Sequence, residues 1–238
     1  MIIARASQRR SVSNTSARGT AIWLAVVWRL AIVISGSYAL VRAYHPFSSN
    51  PNIGMFRYFT NLSNAVAILC FVCALLAMVA PAYRPGRKIL WRPLKNMLMM
   101  GLLVTMLIAQ MLLNGIWTDG KINPSLLFLH LITPLMMLLD WLFFDAKGAM
   151  RSWEPVVWLL WPFAYLVVTL ILAPISPIRE ENGHYVKYPY GFIDVDTLGA
   201  GRVVIYVVVL LILFVILGYI IFGLDHLFKA LFRRGRRS

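Results

Sequence analysis

A hydroxyl and an imidazole stand inside stretches apolar enough to cross a membrane. Thr60 lies in Arg57-Tyr58-Phe59-Thr60-Asn61-Leu62-Ser63-Asn64, and His130 lies in Leu127-Phe128-Leu129-His130-Leu131-Ile132-Thr133-Pro134. Polar and titratable groups are costly in lipid, so their presence there points to use. A threonine hydroxyl is a weak nucleophile until a base takes its proton, and imidazole is the usual base near neutral pH. The amides of Asn61, Asn64, Gln110 and Asn114 are candidate donors to a developing oxyanion, and Ser63 and Thr133 are further candidates for binding a substrate. No third residue that would orient His130 is evident in the sequence; an Asp or Asn from another span would suit.

The elements that must carry these groups follow from composition. Of 238 residues, 60% are hydrophobic and 13% charged, against roughly 25% charged in a soluble domain. That deficit places the chain among integral membrane proteins, with an all-α fold. A span needs roughly 20 mostly apolar residues. Six stretches qualify, at about 20–43, 58–80, 96–117, 124–144, 153–174 and 202–224, between a basic segment 1–19 and a basic tail 225–238. Each is apolar around its whole circumference, which excludes surface helices and disfavours strands. The basic opening segment and the spanning length of the first apolar run do not read as a cleaved leader.

The net charge of +14 raises the question of nucleic acid, but its distribution answers otherwise. Arg and Lys collect in the N-terminal segment, the 81–95 loop, the 145–152 loop and the tail, while the 44–57, 118–123 and 175–201 connections hold fewer. The positive-inside rule then predicts both termini in the cytoplasm, with the basic segments facing anionic lipid headgroups and no nucleic-acid partner. Tyr44, Tyr58, Trp91, Trp117 and Trp153 fall where interfacial anchors belong. A plasma membrane of bacterial type fits this pattern.

Orientation turns sequence position into depth. Thr60 opens span two from the outer side, with Ser63 and Asn64 on its helical face. His130 lies about 9 Å into span four, at 1.5 Å per residue, and Thr133 shares its face. Span three brings Gln110 and Asn114 to the same outer half. The plain alternative is that these groups only glue helices together through hydrogen bonds, for about a kilocalorie per mole or less each. For Asn114 or Ser63 alone, glue is the simpler reading. For Thr60 with His130, the matched depth leaves glue and chemistry equally open.

A second polar pair lies deeper. Arg29 in span one and Asp140 in span four both fall in the inner half, where an unpaired charge is expensive, and are expected to form a structural ion pair. The Cys70-x-x-Cys73 pair lacks the partners a zinc site needs and reads as packing on one helix face. Neither a metal nor an organic cofactor is called for. The 175–201 connection holds Pro177, Pro189 and the aromatic run Tyr188-Pro189-Tyr190-Gly191-Phe192. A lid over an outward pocket and a plain connecting loop are both open readings of it.

The motif that opens span two, and His130 followed by Thr133-Pro134 and Asp140 in span four, resemble the androgen-induced and androgen-dependent transmembrane hydrolases, a family with bacterial six-span members. Tyr188-Pro189-Tyr190-Gly191 resembles the aromatic-proline element before that family's last span. The six-span pattern covers roughly residues 20–225, but the specific signal is confined to these three motifs. The resemblance implies an intramembrane threonine hydrolase that cleaves fatty acid esters of hydroxy fatty acids, with Thr60 as nucleophile and His130 as general base. The length of the 175–201 loop and the strongly basic terminus depart from the animal members. The competing reading is a carrier that binds a lipid or small solute at the same polar cluster. A carrier commonly shows repeated halves, and 20–117 and 124–224 show none that convinces. A third reading leaves the polar residues as glue alone.

Overall fold

Among the described residues, six apolar helices are long enough to cross a membrane. The structure, a computed structural model, describes residues 2–79, 92–113, 115–179 and 183–234. In chain order these form α1 (Ile2–Tyr44), α2 (Phe59–Val79), α3 (Arg92–Leu112), the compound fourth span, the broken fifth span, the short α8 (Val195–Leu198) and α9 (Ala200–Arg234). The fourth span joins α4 (Pro124–Leu127), a π-helical turn (Phe128–Ile132) and α5 (Thr133–Phe144). The fifth joins α6 (Glu154–Val157) and α7 (Leu160–Leu172). Among the described residues, sheet is confined to two short hairpins, β1 (Trp117–Thr118) with β2 (Lys121–Ile122) and β3 (Ile178–Arg179) with β4 (Tyr185–Val186).

The boundaries differ from the sequence reading at both ends. Helix α1 begins at Ile2 and α9 runs on to Arg234, so the basic segments continue the flanking helices. The steps at 19 and 224 are changes of composition with no change of backbone. Arg and Lys are good helix formers, and nothing in those segments breaks the ladder.

Helix α3 is the hub. Its spanning window is 61% buried in protein, against 17% for the fifth and sixth spans. Leu98, Met99, Met100, Leu102, Leu103 and Val104 are buried along consecutive positions, so neighbours cover it on nearly every side. Lipid tails are as apolar as leucine, so close packing and polar ties must hold such a bundle together. Packing is closest between α1 and α2. A Cβ added at Gly36 would lie 2.7 Å from Ile68 Cδ1, so the Ile68 side chain would have to shift to admit one at this crossing. Polar ties fasten the other pairs: Trp28 Nε1 donates to the Met136 carbonyl at 3.1 Å, and Trp161 Nε1 donates to Ser63 Oγ at 2.9 Å.

A charged network occupies one end of this bundle. Arg29 Nε meets Asp140 Oδ1 at 3.1 Å, and Lys95 binds the other oxygen of Asp140 while reaching Asp145 Oδ1 at 2.7 Å. Two cations thus face two carboxylates, and Asp140 is fully buried. The sequence reading counts Lys95 in the basic 81–95 loop; the structure places it in the first turn of α3, buried among the carboxylates. Nearby, the 145–152 loop is tied to α9 by Asp225, whose Oδ2 accepts from the Ala149 and Met150 amides at 2.9 and 3.1 Å.

Candidate active site

The opposite end of the bundle holds Thr60 and His130. Chain entry into α2 fixes the threonine. A 3-10 turn (Ile53–Arg57) leads into Tyr58, and α2 starts at Phe59, so Thr60 lies in the first helical turn. The amides of that turn have no partner further back in the helix. Tyr190, brought over from the 175–201 connection, lies beside Thr60 and lines the same cavity. Burial pushes the Tyr190 hydroxyl up to about 12, while the contacts with Thr60 and Phe59 pull it the other way. It therefore stays protonated throughout the neutral range.

His130 sits in the π-helical turn. Asn123 caps the preceding helix by accepting from the Ser125 and Leu126 amides, and Pro124 follows at the first helical position. The helix then widens over Phe128–Ile132 before α5 begins. Such single π turns recur at functional sites. The imidazole is only 8% exposed, and its Nδ1 lies 2.9 Å from the Gly115 carbonyl. A carbonyl only accepts, so Nδ1 carries the proton and Nε2 keeps its lone pair. The orienting group is thus a backbone oxygen in place of the expected Asp or Asn side chain. Gly115 has φ +61°, a left-handed conformation that favours glycine, and a Cβ there would lie 2.7 Å from Gln110 Oε1, so that side chain would have to move.

Thr60 and His130 line the same cavity, of about 840 Å3. Arg42, Asn61, Arg179 and Tyr190 share its wall, and no described carboxylate does. Arg57 stands beside it, its Nη1 donating to the Ser176 carbonyl while its Nε and Nη2 are buried with no partner among the described residues. A polar cavity with arginines and no described carboxylate in its wall suits a ligand with an anionic end.

The remaining candidates separate by what they touch. Asn61 Nδ2 donates to the Met55 carbonyl at 2.9 Å, and its side chain reaches the cavity. Asn64 is fully buried and its Nδ2 donates to the Thr60 carbonyl at 2.9 Å and to the Leu129 carbonyl at 3.3 Å. Both its N–H bonds are spent, so it positions the Thr60 turn against the His130 turn and offers no donor to a substrate. Ser63 is buried under Trp161 and acts as a helix tie. Thr133 is fully buried and does not line the cavity; its hydroxyl has no partner among the described residues. The exposed Gln110 packs its amide against Gly115, behind the carbonyl that holds His130. Asn114 lies outside the described residues.

Sequence reasoning missed Gly115, Tyr190 as a partner of Thr60, and the arginines of the cavity wall. The aromatic-proline run around Tyr190 was a usable signal, since a loop rich in aromatics has apolar surface to place on the bundle. The 175–201 connection does cover the site: Ile178, Arg179, Pro189 and Tyr190 all line the cavity, and Tyr58 meets Tyr190 edge-on with ring centroids 5.7 Å apart. Among the described residues, no group of three His, Cys, Asp or Glu side chains gathers as a metal site would require. No family model, curated protein or solved structure matches the chain.

Proposed function

We propose that the protein is an intramembrane hydrolase that cleaves a lipid ester, with Thr60 as nucleophile and His130 as general base. The observation that carries this reading is the shared cavity. A hydroxyl and a tautomer-fixed imidazole open onto one volume, and Nε2 is the nitrogen left to accept a proton. Thr60 Oγ attacks the ester carbonyl as Nε2 takes its proton. The tetrahedral intermediate collapses as imidazolium returns that proton to the departing alkoxide. Water, deprotonated by the same nitrogen, then releases the acid from the acyl-threonine. First-turn amides of α2 and Asn61 are the donors best placed for the oxyanion. The arginine-rich wall favours an ester that also carries a free acid, such as a fatty acid ester of a hydroxy fatty acid.

This reading agrees with the motif resemblance to the androgen-induced and androgen-dependent hydrolases. With both termini in the cytoplasm, as the basic loops favour, the site faces the external leaflet of a bacterial plasma membrane. The test is covalent labelling of purified protein by a lipophilic activated phosphonate, with Thr60→Ala and His130→Ala alongside. Labelling of wild type alone, with matching loss of ester turnover, supports the reading. Turnover that persists in Thr60→Ala removes it. Tight lipid binding with no ester hydrolysis favours a carrier.

A further inference from the structure

Thr60 and Tyr190 border a second space as well as the polar cavity. This is a narrow slot of about 100 Å3, lined by Ile108 of α3, Leu166 of α7, Phe192 of the covering loop, and Val207, Leu210 and Phe214 of α9. The flanking faces of α7 and α9 carry Phe163, Val167, Val208 and Val209, all exposed on the protein surface. In a bilayer those faces meet lipid, and the slot opens between them. Building on the hydrolase reading, we propose that this slot binds the acyl chain of the substrate, which enters sideways from the lipid, and that Tyr190 partitions it from the polar cavity.

The layout follows from which residues are shared. A molecule with its chain in the slot and its polar end in the arginine-lined cavity must pass Thr60, so its ester falls at the nucleophile. Tyr190 stands on that route, since it lines both spaces beside Thr60. It must move aside before the carbonyl approaches. An acyl chain gains little by moving from lipid into an equally apolar slot. The slot therefore selects by length and shape more than by affinity, and selectivity is the quantity to measure.

Two measurements decide it, on intact protein in lipid nanodiscs. In the first, kcat/KM is compared across nitrophenyl esters from butyrate to stearate. Filling the slot with Val207→Trp or Leu210→Trp lowers the long-to-short ratio by about tenfold or more, the scale on which an apolar pocket discriminates. Val209→Trp, on the lipid face outside the slot, leaves the ratio at the wild-type value. Tyr190→Ala, which removes the partition, flattens the length preference. An equal fall for every chain length in the slot variants overturns the proposal.

The second measurement needs no catalysis. A stearate ester with a diazirine near its chain terminus is photolysed on wild type and on Thr60→Ala, and the labelled peptides are mapped. Label on 162–166 and 207–214 in both proteins, lost in Val207→Trp, supports the slot. Label that ignores Val207→Trp, or falls on other helices, overturns it. A wild type that hydrolyses no ester yet labels in the slot sinks the hydrolase reading and leaves the acyl site standing.

Discussion

The two ends of the bundle spend their polar groups in opposite ways. Around Asp140, two cations and two carboxylates are packed against one another as a closed set of ion pairs among the described residues. Around Thr60 and His130, the polar groups surround about 840 Å3 of space, and arginines there face no described acid. A buried charge whose partners are all supplied by protein has nothing left to offer a ligand, so the first end is architecture. Groups that keep capacity in reserve next to space are equipped to receive a molecule, and the second end is where chemistry is expected.

The sharpest way to break this contrast is to remove the reacting groups. Thr60→Ala and His130→Ala should each lower ester turnover at least about a hundredfold, the smaller end of what a positioned base contributes. Their thermal unfolding should stay within a few degrees of wild type. A variant that unfolds instead would make the site architectural too. Asp140→Ala should do the reverse: it strands Arg29 and leaves Lys95 with Asp145 alone, at a cost of about 3–5 kcal/mol, read as loss of folded protein on size exclusion. If Arg29→Asp with Asp140→Arg recovers no more folded protein than either single change, the pairing is not what matters there.

Smaller changes sharpen the boundary. Asn64→Ala removes two donors that tie the Thr60 turn to the His130 turn, and should cost about 1 kcal/mol of stability together with a larger fractional loss of kcat than of KM. Ser63→Ala, which removes only a helix tie, should cost a similar or smaller amount, about 0.6 kcal/mol, and leave kcat alone. Equal kinetic effects from the two would erase the distinction between positioning and glue.

The smallest effect is a pH response at the charged end. Burial lowers Lys147 to about 8, although Asp145 and Asp225 pull it back upward. Its amine lies 3.7 Å from the Trp141 ring centroid. Because the folded value is below the ordinary 10.5, the unfolded chain holds more protons between the two. Stability should therefore rise as pH climbs from about 8 towards 10.5, and Lys147→Met should flatten that rise in thermal melts.

Much of this was legible in the sequence because lipid makes its demands locally. Six apolar runs announce six helices, and an isolated Arg29 or Asp140 inside one announces a charge that needs a partner. The partner's identity is less local. Lys95 completes the network from the edge of a span, where a lysine draws no notice. At the site, the hydroxyl and imidazole stand out by type, but the group that orients His130 is the carbonyl of Gly115, which any residue carries. A backbone oxygen leaves no mark in composition or spacing. Tyr190 is hidden for another reason: it comes from a loop well over a hundred residues after Thr60, and only the folded bundle brings the two together.

The π turn at Phe128–Ile132 has a consequence for how this site changes over generations. One residue more or fewer in a helix rotates everything beyond it by about 100°, at 3.6 residues per turn. The turn already contains such an added residue, placed between the Asn123 cap and the tightly packed α5. Deleting Leu131 would swing the imidazole around the axis while α5 kept its register in the bundle. The placement of His130 can thus be re-indexed by a single codon, with α5 left in register.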